Sequence, residues 1–404
     1  MTLKINIEAS LYIHVPFCAS FCDYCDFYSV VMNPSPKTAA VMDSYIDAVL
    51  ADIQYQIDFF HVEKIPTVYI GGGTPSLLGA ERIRRLLNAV KKIAGFSPIE
   101  FTIEANPESA AEEFLSVCRD YGVNRISLGV QSFHEPSRRA VNRCGNAGII
   151  EEKLALVSHY FPGAFSADII TGLPLQTKEI LLQDIDRLLA YKPAHVSLYS
   201  LTVEQETPLY EKLKSRAISL PDRDESDALW FAGRDALIQA GYEHYEVSNF
   251  ALGGKRCIHN IRYWRMENWL GIGPAACGTV INEENGTAKR FSYPANLEAY
   301  LNAPQNVLRG AMPHAPHLDA PPPLINMANC EELNKTELIR DSLLMGFRYC
   351  GGPDPQSFRR RFKCSIDECI PKTIERWKGR NIMLFLNSFL HEAFLEMEST
   401  LPVD

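Results

Sequence analysis

The chain has 404 residues, of which 46% are hydrophobic and 22% charged, and its formal net charge is −9 at pH 7. This composition is typical of a soluble globular protein with one large and one smaller domain, and its acidic balance excludes the basic surface of a nucleic-acid-binding protein. The sequence begins without a signal-peptide pattern and contains no run of about 18 apolar residues that could span a membrane. Eleven cysteines, an odd number, fit a reducing compartment better than a disulfide framework and predict a cytoplasmic protein.

The first predicted strand, Ser10–His14, leads into a loop with the spacing Cys18-x3-Cys22-x2-Cys25. Cysteine thiolates are the usual ligands of iron–sulfur clusters, which normally have four protein ligands. Three close cysteines without a fourth would leave one iron of a [4Fe-4S] cluster open, and an open position is typical of reactive metal sites. The alternatives are half of a zinc site or three ordinary core thiols.

From residue 10 to about 240, short β-rich runs alternate with helical ones. A long helix is predicted at Ala39–Phe60, where apolar residues recur at helical spacing. Further strands are predicted at Thr67–Ile70, Phe101–Glu104, Arg125–Gly129, Ser166–Thr171 and His195–Leu201, with helices near 79–95, 108–121, 149–160, 177–190 and 222–240. Six successive β-α units predict a parallel sheet covered by helices, either as a barrel or as an open sheet.

Glycine and polar residues follow the predicted strands, where parallel α/β folds bind their ligands. The glycines of Gly71-Gly-Gly-Thr-Pro-Ser76 would let the backbone approach a ligand, although a simple turn would look the same. Glu104, Gln131 and Asp168 at later strand ends suit a ribose diol, and Arg143 suits a carboxylate. Singly, each is more typical of a cap or a solvated loop. Together they predict a nucleotide-like ligand.

The pattern changes after residue 245, and residues 246–302 are predicted to form a β-rich extension. This extension carries Cys257-Ile-His-Asn-Ile-Arg-Tyr-Trp264. Imidazole is a common ligand of haem iron, and aromatic walls suit an apolar macrocycle. On local features alone, a histidine beside a tryptophan is more typical of a packed core residue.

Residues 303–329 are rich in proline and are predicted to be a linker or surface insertion. Its His314 and His317 are more typical of solvated side chains than of a metal site. A small, mostly helical C-terminal domain is predicted at 330–404. Its helices are predicted at Glu332–Phe347, Gln356–Phe362, Ile366–Trp377 and Asn387–Glu396.

The cysteine spacing, with an aromatic residue before the third cysteine, resembles the radical S-adenosylmethionine (SAM) superfamily. The segments Gly-Gly-Gly-Thr-Pro-Ser, Gly-Val-Gln-Ser-Phe, Ile-Thr-Gly-Leu-Pro and Ser-Leu-Tyr-Ser-Leu-Thr match, in order, those of the oxygen-independent coproporphyrinogen III oxidases and their relatives. The match spans most of residues 11–280 and continues more weakly to about 395.

This resemblance implies a partial (β/α)6 barrel of the TIM type at 1–245. It implies a [4Fe-4S] cluster bound by Cys18, Cys22 and Cys25, with SAM at the open iron and reductive cleavage of SAM to a 5′-deoxyadenosyl radical. The SAM contacts that it implies are Tyr12, Gly72, Gly73, Thr74, Glu104, Gln131, Arg143 and Asp168.

The His-Asn-x-x-Tyr-Trp motif resembles that of the haem-chaperone branch of the same family, which implies haem contacts at His259, Tyr263 and Trp264. Two features agree with this branch: Phe27 stands where the oxidases have a further cysteine, and only 17 residues precede Cys18. The resemblance implies a chaperone that binds haem, the cluster and SAM, delivers haem to acceptor proteins and has no coproporphyrinogen oxidase activity.

Two departures from the family pattern concern cysteines. Cys277 stands where relatives often have a histidine, and Cys144 follows Arg143 in place of the usual pattern. Cys277 is therefore an alternative haem ligand to His259, although core packing explains a small cysteine equally.

Several alternatives stay open at this point. One is a coproporphyrinogen III oxidase, which decarboxylates two propionates oxidatively in porphyrin biosynthesis, and another is a structural zinc protein. The sequence also leaves open whether SAM is cleaved in the working cycle and whether the protein contacts a membrane peripherally.

Overall fold

The computed structural model describes residues 7–93, 95–309 and 329–400. Its strands are β1 (Ile7–Glu8), β2 (Ser10–Val15), β3 (Phe17–Cys18), β4 (Val30–Val31), β5 (Val62–Gly72), β6 (Phe96–Ala105), β7 (Arg125–Gln131), β8 (Phe165–Thr171), β9 (His195–Ser200), β10 (Glu243–His244), β11 (Asn249–Ala251), β12 (Trp269–Ile272), β13 (Cys277–Asn282), β14 (Thr287–Ser292) and β15 (Asn329–Leu333).

The helices are α1 (Pro36–Phe60), α2 (Gly79–Val90), α3 (Glu112–Asp120), α4 (Glu135–Ala140), α5 (Ala147–Tyr160), α6 (Lys178–Leu189), α7 (Pro208–Lys214), α8 (Arg223–Gln239), α9 (Ile258–Trp264), α10 (Leu297–Arg309), α11 (Lys335–Gly346), α12 (Pro355–Phe362), α13 (Ile366–Cys369), α14 (Pro371–Trp377) and α15 (Leu386–Thr400).

Six parallel strands form the centre of the molecule, in the spatial order β9-β8-β7-β6-β5-β2. Helices follow these strands, so the fold is a partial (β/α)6 barrel and the six predicted β-α units are confirmed. β12 pairs in parallel with β2 and continues into the antiparallel strands β13, β14 and β15. At the other edge, β11 and β10 add antiparallel strands beside β9. The extension after residue 245 therefore enlarges the barrel sheet at both edges.

The central strands alternate between apolar side chains that pack under the helices and polar side chains that face inward. In β2, Leu11 and Ile13 belong to the main apolar core, whereas Ser10, Tyr12 and His14 form polar contacts inside the barrel. The same alternation recurs in the neighbouring strands. Thr67 and Tyr69 point inward from β5, as do Glu100 and Glu104 from β6 and Ser166 and Asp168 from β8.

The first helix begins and ends at local signals. Ser35 and Thr38 form a capping box at its start, and His61 ends it with a left-handed φ of 51°. A buried carboxylate, Asp52, ties this helix to the extension, because it accepts hydrogen bonds from the hydroxyls of Tyr293 and Tyr300, both at 2.8 Å.

The short helix α9, which contains the His-Asn-x-x-Tyr-Trp motif, closes the end of the barrel at which the parallel strands begin. The Glu100 carboxylate accepts hydrogen bonds from the backbone N–H groups of Ile258 (3.0 Å) and His259 (2.9 Å). Arg125 forms an ion pair with Glu100 at 3.1 Å, and the two side chains are only 10% and 4% exposed. The Arg125 guanidinium also donates to the carbonyls of residues 255 and 256, both at 3.0 Å. We refer to this closure as the barrel floor.

The C-terminal helices form a second apolar core, which includes Met266 and Trp269 from the extension. Two boundaries differ from the prediction. Glu332 and Leu333 lie in β15, because Asn334 caps α11 and sets its start. Pro371 begins a separate helix, which divides the helix predicted at Ile366–Trp377 into α13 and α14.

The predicted proline-rich segment lies largely outside the described residues. α10 continues to Arg309 and β15 begins at Asn329, so residues 310–328, with His314 and His317, are not described. Among the helices that are described, none combines the length and the apolar character needed to cross a bilayer.

Replacing Glu100 should destabilise the fold strongly. Glu100→Ala leaves the buried Arg125 without its carboxylate and the first N–H groups of α9 without their acceptor, so we expect the free energy of unfolding to fall by ~3–5 kcal/mol. Urea denaturation measures this change. The control is Glu151→Ala, which breaks the Glu151–Arg187 pair, whose side chains are 41% and 40% exposed; we expect a loss of about 1 kcal/mol or less. Equal losses would contradict the role of Glu100 in the floor.

Candidate functional site

Three cysteine thiols lie beside the ends of the parallel strands: Cys18 is the last residue of β3, and Cys22 and Cys25 lie on the loop that follows. Cys18, Cys22 and Cys25 are all partly buried and free of disulfides. The Cys18 sulfur lies 3.7 Å from the Thr74 hydroxyl, and the Cys22 sulfur accepts a hydrogen bond from Arg143 at 3.5 Å. Burial raises the pKa of Cys25 to about 11, and the neighbouring thiols add to this shift.

Other parts of the chain hold this cysteine loop in position. The Asp23 carbonyl accepts from the N–H of Leu209 at 2.9 Å, and its carboxylate forms an ion pair with Lys212 at 2.5 Å. The Asn142 side chain donates to the carbonyl of Phe21 at 2.7 Å. The loop is therefore fixed by α7 and by the segment after α4.

The chemistry of the three thiols fits an iron–sulfur cluster. All three are free and partly buried, and thiolates are the usual ligands of such clusters, in which each binds a different iron. Arg143 lies close enough to offset negative charge on such a cluster, and its buried Nε has no hydrogen-bond partner among the described residues.

The predicted glycine turn packs against the strand that precedes the cysteines. A Cβ at Gly73 would lie 2.8 Å from the Phe17 carbonyl oxygen, and a Cβ at Gly72 would lie 2.5 Å from the His14 ring. Gly72 also has a φ of +106°, which favours glycine. This close packing brings Thr74 beside Cys18, so the turn contributes directly to the site.

One residue that the sequence prediction did not assign, Asn106, connects the two sides of the site. Its side-chain N–H donates to the Thr74 hydroxyl at 2.9 Å, and its oxygen accepts from Arg143 at 2.8 Å. A continuous path therefore runs from Cys18 through these three side chains to Cys22. The only sequence signal for Asn106 is its position directly after a predicted strand, two residues beyond Glu104.

Two carboxyl groups, in β6 and β8 on either side of β7, have no ion-pair partner among the described residues. Glu104 accepts from the Tyr69 hydroxyl at 2.7 Å and from the Gly72 N–H at 3.1 Å. Burial, with a contribution from Asp168, raises the pKa of Glu104 to about 7. Burial likewise raises the pKa of Asp168 to about 6, although hydrogen bonds from Ser197 and Ser127 oppose this rise. Raised carboxyl pKa values in a cluster of this kind are typical of ligand sites.

The remaining predicted SAM contacts lie at the same end of the barrel. Tyr12 donates its hydroxyl hydrogen to Nδ1 of His14 at 3.1 Å, because Nε2 of His14 donates to the carbonyl of Tyr28. Gln131 has a left-handed φ of 67°, and its buried side-chain oxygen has no partner within the described ranges. Strained backbone and unpartnered polar atoms at strand ends are features of ligand sites.

The predicted haem ligand His259 is fully engaged in the barrel floor. It is 1% exposed, and its Nδ1 lies 2.8 Å from the Thr67 hydroxyl. Because that hydroxyl donates to Ser10, Nδ1 carries the hydrogen, and Nε2 accepts from the Tyr263 hydroxyl at 2.9 Å. The ring also stacks on Tyr69, with 5.2 Å between ring centroids. Burial lowers the pKa of His259 to about 3.

The three predicted haem contacts lie in two different surroundings, one shared by His259 and Tyr263 and the other occupied by Trp264. Tyr263 packs edge-on against Trp269 at 5.0 Å, on the His259 side of α9. Trp264 packs on a separate apolar cluster with Tyr245, and its buried Nε1 has no partner among the described residues. The alternative ligand Cys277 lies in β13, where its carbonyl accepts from Trp269 at 3.0 Å. The described conformation therefore does not direct His259 and Trp264 into one common pocket.

Comparison with known proteins gives concordant results. Residues 12–188 match the model of the radical SAM superfamily. The haem chaperone HemW of Lactococcus lactis is 33% identical over 89% of this chain and 86% of that protein, and HemW of Escherichia coli is 37% identical over 67% and 70%. Radical S-adenosyl methionine domain-containing protein 1, mitochondrial, of Mus musculus is 32% identical over 85% and 74%. The solved structure of coproporphyrinogen III oxidase (HemN) from Escherichia coli has a TM-score of 0.74, covers 96% of this chain and 90% of its own, and is 19% identical, which shows a shared fold.

The buried neutral His259 should make stability depend on pH. Its pKa is about 3 in the folded chain and near 6.5 when unfolded, so the unfolded state binds more protons between these values. The contribution of His259 to stability should thus be constant above pH 6.5 and fall by up to ~1.4 kcal/mol per unit as the pH drops below it. Urea denaturation of the wild type and of His259→Asn measures this effect. The difference between their free energies of unfolding should become smaller, by up to that slope, as the pH falls from roughly 6 to 4. A difference independent of pH would contradict it.

Proposed function

This chain belongs to the radical SAM superfamily and, within it, to the family of the HemW haem chaperones, and we propose that it binds haem and delivers it to acceptor proteins. The observation that carries this proposal is the 33% identity with the Lactococcus lactis HemW over 86% of that protein. Membership of the superfamily implies a [4Fe-4S] cluster and SAM, which we assign to the end of the barrel that carries the three cysteines.

We assign the cluster to Cys18, Cys22 and Cys25. The Cys18 sulfur lies beside Thr74 and the Cys22 sulfur beside Arg143, which can order these two thiolates and offset negative charge. When bound there, the cluster would supply an open iron for SAM and an electron for its reduction. The protein's own contribution is to hold the thiols on a loop that is already fixed to α7.

We assign SAM to the neighbouring strand ends. The turn at Gly72, Gly73 and Thr74 lies near the Cys18 sulfur, where its carbonyl oxygens can accept hydrogen bonds from the amino group of SAM. Its backbone N–H groups already donate to Glu104, Val15 and Phe17. The carboxyl groups of Glu104 and Asp168 can accept hydrogen bonds from ribose hydroxyls. Tyr12, Gln131 and Arg143 complete the proposed set.

Haem binding through His259, Tyr263 and Trp264 stays a prediction. For His259 to bind iron, its Nε2 must release the Tyr263 hydroxyl, and the ring must become accessible from outside the barrel floor. Binding would thus require α9 to move. The Cys277 thiol in β13 is the alternative ligand, and it is partly exposed already.

Haem acceptor proteins and a cytoplasmic location complete the proposal. All eleven cysteines lie in the described residues and none forms a disulfide, which supports a reducing compartment. Coproporphyrinogen oxidation remains the alternative activity, and the haem titration below separates it from haem binding.

The cluster assignment is tested by anaerobic reconstitution with iron and sulfide. We expect the wild type to gain charge-transfer absorption at about 400 nm that dithionite bleaches, and Cys22→Ser to lack this absorption, because a four-iron cluster needs its thiolate ligands. Cys144→Ser is the matched control, since the Cys144 sulfur lies 2.9 Å from the hydroxyl of Ser20 in the same loop but is not an assigned ligand. Loss of the cluster in that control would overturn the three-cysteine assignment.

Haem titration of the reconstituted protein tests the chaperone function. We expect saturable binding by the wild type, binding ~10-fold weaker or more in His259→Asn, and a change within about twofold in Cys277→Ser, as for loss or retention of a metal ligand. Weaker haem binding by Cys277→Ser, together with nearly unchanged binding by His259→Asn, would instead identify Cys277 as the ligand of the haem iron. A cluster without haem binding would contradict the proposal, and turnover of coproporphyrinogen III with SAM would then identify the protein as an oxidase.

A further inference from the structure

We propose that His259 is a positioning residue of the SAM site, because it fixes Tyr69 from the barrel floor and thereby orients the Glu104 carboxylate at the opposite end. This inference rests on the proposed function, which gives Glu104 to SAM. It assigns to the His-Asn-x-x-Tyr-Trp motif a role inside the barrel that does not require haem.

A short series of contacts joins the floor to the SAM site. The His259 ring lies against the face of Tyr69, with ring centroids 5.2 Å apart and planes inclined by 30°. The Tyr69 hydroxyl donates to one oxygen of Glu104 at 2.7 Å, and the Gly72 N–H donates to the other at 3.1 Å. Tyr69 thus supplies one of the hydrogen bonds that hold this carboxylate in place.

The space around Tyr69 leaves its ring little freedom. On the side of the SAM site, a Cβ at Gly71 would lie 2.8 Å from the Tyr69 ring and 2.8 Å from the Glu104 carboxyl carbon, so glycine is needed there for both side chains to fit. On another side lies Tyr12, with its ring centroid 6.2 Å away. On the side of the barrel floor lies the His259 ring.

His259 can fix its neighbour because it is itself immobilised. Both ring nitrogens are hydrogen bonded, to Thr67 and Tyr263, and its backbone N–H donates to Glu100. A side chain held by both ring nitrogens, on a backbone that is itself hydrogen bonded, transmits its position through packing. A binding group that is held in advance loses less entropy when the ligand arrives.

The Tyr69 contact also affects the charge of Glu104. Burial raises the pKa of Glu104 to about 7, whereas the hydrogen bond from Tyr69 favours the ionised form and lowers it. Displacement of Tyr69 should therefore raise this pKa further. The ionisable groups that face Glu104 are Tyr12 from β2, Tyr69 from β5, Asp168 from β8 and Tyr199 from β9.

The test is SAM affinity, measured by equilibrium dialysis on the haem-free, cluster-loaded protein. Tyr69→Phe removes only the hydroxyl and should weaken SAM binding ~10-fold, as expected for a hydrogen bond to a charged group. His259→Asn retains a donor for Thr67 but removes the ring under Tyr69, and should weaken SAM binding roughly 5-fold or more. If His259→Asn does not fold, as judged by circular dichroism, His259→Gln replaces it.

A second buried histidine provides the matched control. His195 is 2% exposed, and its ring nitrogens lie 2.7 Å from the Ser166 hydroxyl and 2.8 Å from the Tyr245 hydroxyl. His195→Asn therefore makes the same change in a similar setting, away from Tyr69, and SAM affinity should stay within about twofold of the wild type. Equal effects of the two histidine variants would overturn the proposal.

A pH profile separates positioning from general loss of structure. The SAM affinity of the wild type should rise with pH through about 7 as Glu104 ionises, and the midpoint should shift upward in Tyr69→Phe and in His259→Asn but not in His195→Asn. If the midpoint of the pH profile does not shift in His259→Asn, the positioning role of His259 is wrong, whereas the proposed function is unaffected. If the cluster-loaded wild type binds no SAM at all, the proposed function itself fails, and with it the assignment of Glu104 on which the inference rests.

Discussion

The Glu100–Arg125 ion pair is the interaction on which the arrangement of the barrel depends. Both side chains are almost entirely removed from water, so neither can stay charged there without its partner. Glu100 also accepts the first N–H groups of α9, and Arg125 binds the carbonyls just before that helix. The pair therefore determines where α9 lies, and α9 determines where His259 lies.

Above this floor, the interior of the barrel consists of successive polar layers. The alternation of side chains along each strand places Thr67 and Tyr69 on the same inner face, one pleat repeat apart, and Gly71 follows at the upper end. The same strands thus bury apolar residues against the helices and stack polar residues toward the cysteine loop. The fold and the candidate site share one set of strands. A substitution near the barrel floor can therefore affect the cysteine end through side chains that contact each other on the inner face.

Local patterns explain why the fold could be predicted, because the alternation of strands and helices is a short-range signal. The cysteine spacing and the polar residues after each strand are also short-range signals. The structure places Cys18 and Glu104 at the same end of the barrel, and their binding roles stay predictions. Contacts between distant residues have no such signal. Glu100 and His259 are 159 positions apart, so nothing near the His-Asn-x-x-Tyr-Trp motif indicates that its histidine closes the barrel. Sequence patterns give no assignment for Asn106 for the same reason, because its partners are distant in the chain: Thr74 follows β5, and Arg143 lies between α4 and α5.

The contacts that hold the cysteine loop also determine what happens to the loop when a bound cluster is lost. Its carbonyl and carboxylate contacts at Asp23, and the Asn142 contact at Phe21, involve no sulfur atom. The loop can therefore keep its path when no iron is bound, in contrast to zinc fingers, which unfold without their metal. If a cluster bound there were lost by oxidation, the chain would stay folded, and a new cluster could be assembled on the same loop.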